Sequence, residues 1–441
     1  MRNTLILLLI ALAVGAYVYV YEYKGEEQRQ KIKEREEKLI APEKEEISSW
    51  EIYRGGDHYK FVREDGHWRI TEPVSTGAED VTVDGFLRDL TSAKKIRTIH
   101  VTGKDKTPYG LKRPEVRIRV EAGAEHDSVF LGASSSFGDN IFAGKGDSVV
   151  FLTGAGLKRK AQKSLFDWRD KKALHFEKDA VRRIVLKSPR GAYEFKKAGV
   201  SWKLTRPVTD KADPGAVRAM LNKLDYANVL SIEAESAEDK KSYDLDKPAY
   251  VIELYQGENQ SRSAVAFSAP RGKMAYGKDE ARPQIFKVDT LFLEPFNKSL
   301  FAFREKKLTD FGTASIRRVT LLNDGVFMEF KKDTSSRWIG VNDTLEARDI
   351  KVTTLISAVS GLRAASFVAE KPKSLRRYGL EKPAAVVELF IDDKPEVRLE
   401  FGKVHGDRRY VRDALDGRVV TVKEKDLEDI LLTHDQMYKT K

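Results

Sequence analysis

Hydrophobic and polar positions change period along this chain in a recurring way. Thr4 to Tyr21 reads TLILLLIALAVGAYVYVY, 18 positions without a charge. As a helix it would span about 27 Å at about 1.5 Å per residue, close to the hydrocarbon thickness of a bilayer. Tyr17, Tyr19, Tyr21 and Tyr23 gather at its far end, where amphipathic rings favour the head-group layer. Arg2 precedes the run and Glu22, Lys24, Glu26 and Glu27 follow it. The positive-inside bias then predicts a single-pass signal anchor over residues 1–24 in the inner (cytoplasmic) membrane, with a cytoplasmic N-terminus and a periplasmic or otherwise extracytoplasmic body. A cleaved signal peptide ending near Ala11-Leu12-Ala13 is the competing reading, but the apolar run continues eight residues beyond that site. Residues 25–47 are mostly charged, with Pro42 as a stop signal, and predict a solvated helical stalk. Ile32, Leu39 and Ile40 are too few for a coiled-coil seam.

Beyond the stalk the period shortens to two. His58 to Glu64, a turn at Asp65-Gly66, and His67 to Ile70 read as a hairpin. A 3.6-residue period follows, with Phe86, Leu87, Leu90 and Ala93 on one face. Its counterpart is a helix from Ala216 to Leu230, opened by Asp213-Pro214-Gly215 and carrying Met220, Leu221, Leu224 and Ala227. Alternation then returns at Val116, Ile118 and Val120, at Val251 to Tyr255 and at Val386 to Ile391. Val129 to Gly132 and Leu399 to Gly402 continue it, as do Val149 to Leu152, Ile285 to Val288 and Val419 to Val422.

These blocks repeat. Tyr109-Gly110-Leu111-x-x-Pro114 returns as Tyr243-Asp244-Leu245-x-x-Pro248 and Tyr378-Gly379-Leu380-x-x-Pro383, at offsets of 134 and 135 residues. Trp68, Trp202 and Trp338 keep the same interval, although the third copy has no Pro after its Trp. A period this long marks self-contained domains in tandem. The expected fold class is α+β: after the transmembrane helix and stalk come three repeats of an antiparallel sheet with a covering helix, at residues 48–176, 177–311 and 312–441. Lys163 to Lys172 and Lys298 to Lys307 close the first two copies, and the third is expected to end before completing that segment. Phe166, Trp168, Arg169, Phe301, Phe303 and Arg304 are the candidate interdomain residues, with a role inside one domain as the alternative.

Composition narrows the chemistry. The 441 residues include no cysteine, which excludes disulfides, thiolate metal sites and a thiol nucleophile. Lys and Arg outnumber Asp and Glu by 79 to 68, but the charges are interleaved and read as solvated surface. Gly138 to Gly146 departs from a phosphate loop in spacing and lacks the final Ser or Thr, so it reads as a hairpin loop. The seven histidines form no metal-protease spacing, and no nucleophile elbow is present. Metal binding by His58 and His67 across one hairpin is the weak exception. Catalytic, cofactor and metal residues are therefore expected to be none, and no polar cluster is seen to recur in all three copies. Gly110, Asp244 and Gly379 are residue types that tolerate positive φ, and the three Trp read as core anchors rather than stacking platforms.

The N-terminal helix with the Trp-x-[Ile/Leu]-x-x-Pro and Tyr-[Gly/Asp]-Leu-x-x-Pro units resembles DUF4340, a bacterial family of membrane-anchored repeat proteins of unknown function, across nearly all of residues 48–441. Genes of that family commonly lie beside those of gliding-motility-type ABC transporters. The resemblance implies a non-enzymatic extracytoplasmic scaffold or adaptor with ABC transporter subunits as partners; no nucleic acid partner is expected, because the body is read as facing away from the cytoplasm and its basic residues show no aromatic interleaving. The alternative is a module that binds cell-wall or surface polysaccharide. A hydrolase with an unrecognised site is a third reading.

Overall fold

A computed structural model describes residues 2–19, 24–101, 105–146, 149–341 and 343–439. Backbone contacts gather the chain into two compact units. The first is Met1–Ala173 with Ala227–Leu245 and Met274–Asp289; the second is Leu174–Tyr226 with Asp246–Lys273 and Thr290–Lys441.

The chain opens with helices α1 (Arg2–Val18) and α2 (Lys24–Glu37). No helix among the described residues is long and apolar enough to cross a membrane. The end of the expected anchor, with Tyr21 and Tyr23, lies outside the described residues. The stalk segment is helical through α2, but Leu39 and Ile40 are 0% and 1% exposed and join Ile47 in the first hydrophobic core. The Leu39 amide donates to the Ala93 carbonyl at 2.8 Å, which holds this apolar pair against the end of the covering helix. The first core thus takes in residues ahead of the boundary expected at 48.

The first sheet contains β1 (Ser49–Arg54), β2 (Asp57–Glu64), β3 (His67–Glu72), β4 (Thr76–Gly77), β5 (Arg97–His100), β6 (Val116–Ala122), β7 (Glu125–Ser134), β8 (Asn140–Lys145) and β9 (Val149–Gly154). Their order is β4-β3-β2-β1-β6-β7-β8-β9-β5, with antiparallel neighbours. The β2–β3 turn puts Asp65 and Gly66 at φ of 50° and 86°, the left-handed pair that matches the twist of a tight hairpin. Because β4 and β5 lie at opposite edges, the helix between them, α3 (Asp80–Ser92), crosses the sheet. It buries Val83, Phe86, Leu87 and Leu90.

A second nine-stranded sheet repeats this order, and a third has eight strands among the described residues, lacking a counterpart of β4. Their covering helices are Pro214–Tyr226 and Asp349–Gly361. The former stops at Tyr226 rather than Leu230, because Asn228 bridges to Lys172 and the Val229 amide donates to the Lys171 carbonyl at 2.9 Å. The Glu72-Pro73 and Arg206-Pro207 peptides are cis.

Trp168, Phe303 and Tyr438 sit 135 residues apart at equivalent places, each 2% exposed or less. The third copy does complete its closing segment: Thr433 caps a short helix, His434–Met437, and Tyr438 lies 5.4 Å from Phe330 between ring centroids. The expectation that it ends early is thereby corrected. Its residues differ from those of the first two copies, but a small hydroxyl cap followed by a large buried ring preserves the packing.

Candidate functional site

The Tyr-x-Leu-x-x-Pro turns are built alike. Each Tyr ends a 3₁₀ turn, and Gly110, Asp244 and Gly379 follow at φ of 66°, 54° and 70°. Leu111, Leu245 and Leu380 are buried, while Pro114, Pro248 and Pro383 are half-buried just before a strand. Tyr109 meets Phe142, Tyr243 meets Tyr276, and Tyr378 meets Tyr410, at centroid distances of 5.0, 5.0 and 5.2 Å. These ring pairs pin the turn to the sheet, and they went unread because the second ring lies in a strand of variable sequence.

The three Trp residues differ. Trp68 is 3% exposed; its amide donates to Asp80 Oδ1 at 2.7 Å and its indole N–H to Asp84 Oδ1 at 3.0 Å. Trp338 is 5% exposed, and its amide donates to Asp349 Oδ1 at 2.6 Å. In the second copy Pro214 and Arg218 stand where α3 carries Asp80 and Asp84, so both acceptors are gone. Trp202 is half-buried, and its indole N–H has no partner among the described residues. It lines a cleft of about 660 Å³ within the second unit.

The candidate interdomain residues divide by direction. Trp168 packs into its own repeat, its ring centroid 5.5 Å from Trp50, and Phe303 does the same at 5.2 Å from Phe195. Arg169 reaches into the next repeat, donating to Glu235 Oε1 at 2.6 Å. Arg304 donates to Asp210 at 2.6 Å and grips Glu370 of the next repeat at 2.6 and 3.1 Å. Its guanidinium carbon lies 3.6 Å from the Phe367 ring centroid, and Phe301 meets that ring at 5.6 Å. The Phe166 ring lies under the Lys171 ammonium at 5.4 Å.

An arginine also returns across each junction. Arg282 donates to Asp170 at 2.9 Å, and Arg418 donates to Asp210 at 2.9 Å. Arg169 and Glu235 match Arg304 and Glu370 at a spacing of 135 residues. Lys306, beside this second junction, donates to Asp213 Oδ2 at 2.7 Å. Burial alone would raise the Asp213 pKa, but the Lys306 bond and the Ala216 amide hold it below the usual carboxylate range.

Each repeat holds a buried carboxylate beside a cation, but not at one shared place in the unit. Glu51, Glu194 and Glu400 are 9% exposed or less. Glu51 accepts from the Tyr53 hydroxyl at 2.5 Å with Lys60 3.6 Å away; Glu194 has Arg206 at 3.3 Å; Glu400 has Arg412 at 3.1 Å. These carboxylates occupy non-equivalent positions, so comparing copies residue by residue misses them. His58 pairs with Glu72 at 2.8 Å and His67 with Asp80 at 2.7 Å. Among the described residues no group of three potential ligands is placed to hold a metal ion.

The repeated turns and the closing segments carry a family signature. The model of the family described as "Domain of unknown function (DUF4340)" matches residues 68–248, 202–349 and 342–441. The chain belongs to the DUF4340 family. The three overlapping matches together cover residues 68–441, and the first two each run from one repeat into the next. No curated protein and no solved structure matches the chain.

Proposed function

We propose that this DUF4340 chain is a non-catalytic scaffold or adaptor, anchored in the inner membrane by residues 1–24, with its repeats on the extracytoplasmic side as an accessory to a gliding-type ABC transporter complex. The observation that carries this reading is the pair of arginine junctions. Buried guanidiniums with fixed carboxylate partners hold one repeat against the next, as suits a surface that presents a partner in one orientation. The uncharged run from Thr4 to Tyr21 supports the anchor. Crosslinking in intact membranes, followed by purification through the chain, tests it: a transporter membrane subunit is the expected partner, and recovery of no membrane protein overturns the reading.

One observation favours a second reading, binding of cell-wall or surface polysaccharide. Trp202 lines a cleft, whereas Trp68 and Trp338 are buried.

A further inference from the structure

The cleft beside Trp202 lies within the second unit, between the second and third repeats. The second repeat contributes Ser201, Trp202 and Lys203 to its lining, and the third contributes Glu396, Leu415 and Asp416. Its volume of about 660 Å³ falls in the range of small-ligand sites, roughly 300–1,000 Å³. Tandem repeats need only mutual contact at their junction, and the arginine clusters supply it. The cleft is space which that contact leaves open.

Its furnishing is specific. The half-buried indole has an N–H with no partner among the described residues, and Leu415, 56% exposed, also lines the cleft. Lys203 and Glu396 form no ion pair among the described residues, and Thr209 adds a hydroxyl. A flat aromatic surface with uncommitted donors and acceptors suits a ligand that has an apolar C–H face and a rim of hydroxyls. A sugar ring is such a ligand. An acyl chain would leave these polar groups unsatisfied. The lining carboxylates outnumber the cations six to four, so the local balance is acidic although the whole chain carries +11. That sign repels phosphate- or uronate-bearing polymers.

We propose that the Trp202 cleft is a binding site for a neutral or amino-sugar oligosaccharide, with one ring stacked on the indole. The inference rests on the polysaccharide reading and is independent of the scaffold reading. The second copy carries Pro214 and Arg218 where α3 has Asp80 and Asp84, and it is the copy whose repeated Trp is half-buried.

The test is calorimetric titration of the full chain in detergent micelles with three probes: tri-N-acetylglucosamine, its deacetylated glucosamine trimer, and trigalacturonate. The expected result is binding of the first or second, with trigalacturonate weaker by about tenfold or more. Trp202→Ala should weaken binding about tenfold, with Trp202→Phe in between. Should Trp202→Ala fail to fold, the exposed pair Lys203→Ala and Glu396→Ala gives the same readout. Absence of heat with all three probes at millimolar concentration overturns the site. Saccharide binding that these variants leave unchanged also overturns it, while sparing the polysaccharide reading.

Discussion

Arg304 donates from its Nε to Asp210 Oδ2 at 2.6 Å, and the two side chains are only 3% and 5% exposed. Arg418 holds the other oxygen of the same carboxylate at 2.9 Å, so one buried anion bridges two guanidiniums. Removing one partner of a buried cluster leaves charge uncompensated, at a cost of about 3–5 kcal/mol. Arg304→Ala should therefore lower stability to urea by that amount, and Arg304→Lys should recover little, because an ammonium cannot grip Asp210 and both oxygens of Glu370 together. A loss under about 1 kcal/mol would mean that the cluster does not hold the junction.

Arg169→Ala should cost less. Its partner Glu235 is 47% exposed and can be rehydrated when the guanidinium is lost. The expected loss is about 1.5–3 kcal/mol, the range for a charge-assisted hydrogen bond, reduced further by solvent screening. Measured beside Arg304→Ala under identical urea conditions, the reverse order would contradict this account of the two junctions.

Gly402 lies where an added Cβ would come 2.2 Å from the Tyr378 carbonyl oxygen, and Gly132 has the same relation to Tyr109. Both obstacles are backbone, so the turn itself must move. Gly402→Ala should cost at least about 1–3 kcal/mol, as overpacking does, and should disturb the Tyr378–Tyr410 ring contact, which an NMR ring-shift measurement reads directly. An unshifted spectrum would show that the turn tolerates the methyl.

Burial pushes the Asp413 carboxyl above its ordinary value of 3.8. The folded state then keeps its proton to higher pH than the unfolded state does. Stability falls as pH rises from the unfolded pKa through the folded one, and the penalty is complete above it. Asp413→Asn keeps an oxygen to accept from the Leu415 amide, 2.9 Å away, and removes the charge. It should melt higher than the parent at pH 7, with the difference vanishing below pH 3.8. An unchanged difference across that range would rule out the buried carboxylate as its source.

His434 approaches Asp343 to 2.5 Å, and that hydrogen bond raises the imidazole pKa above 6.5. The stabilisation is fully present below 6.5 and is lost as pH rises through the raised value. On the acid side it is lost as pH falls through the lowered pKa of Asp343. The melting difference between parent and His434→Gln should be greatest from about pH 4 to 6.5, between the ordinary carboxylate and imidazole values, and should shrink at pH 8. A difference that grows toward pH 8 would sink the pairing.

The alternation around Ile118, the turn at Asp65-Gly66 and the positive φ at Gly110, Asp244 and Gly379 were legible in the chain, because side-chain period and backbone dihedral are local properties. Three copies followed from spacing alone. The sorting of the closing segment was not legible. Trp168 turns inward and Arg169 outward, and the partner that makes the arginine interfacial, Glu235, lies 66 residues on. The buried carboxylates Glu51, Glu194 and Glu400 were missed for a similar reason, since their cations come from neighbouring strands.

By itself, the sequence determined the repeat unit and its strand and helix order, both encoded in residues close to one another along the chain. Only the tertiary structure decided which charges meet across a junction and which Trp is left open to a cleft. Those outcomes depend on distances between residues far apart in the chain.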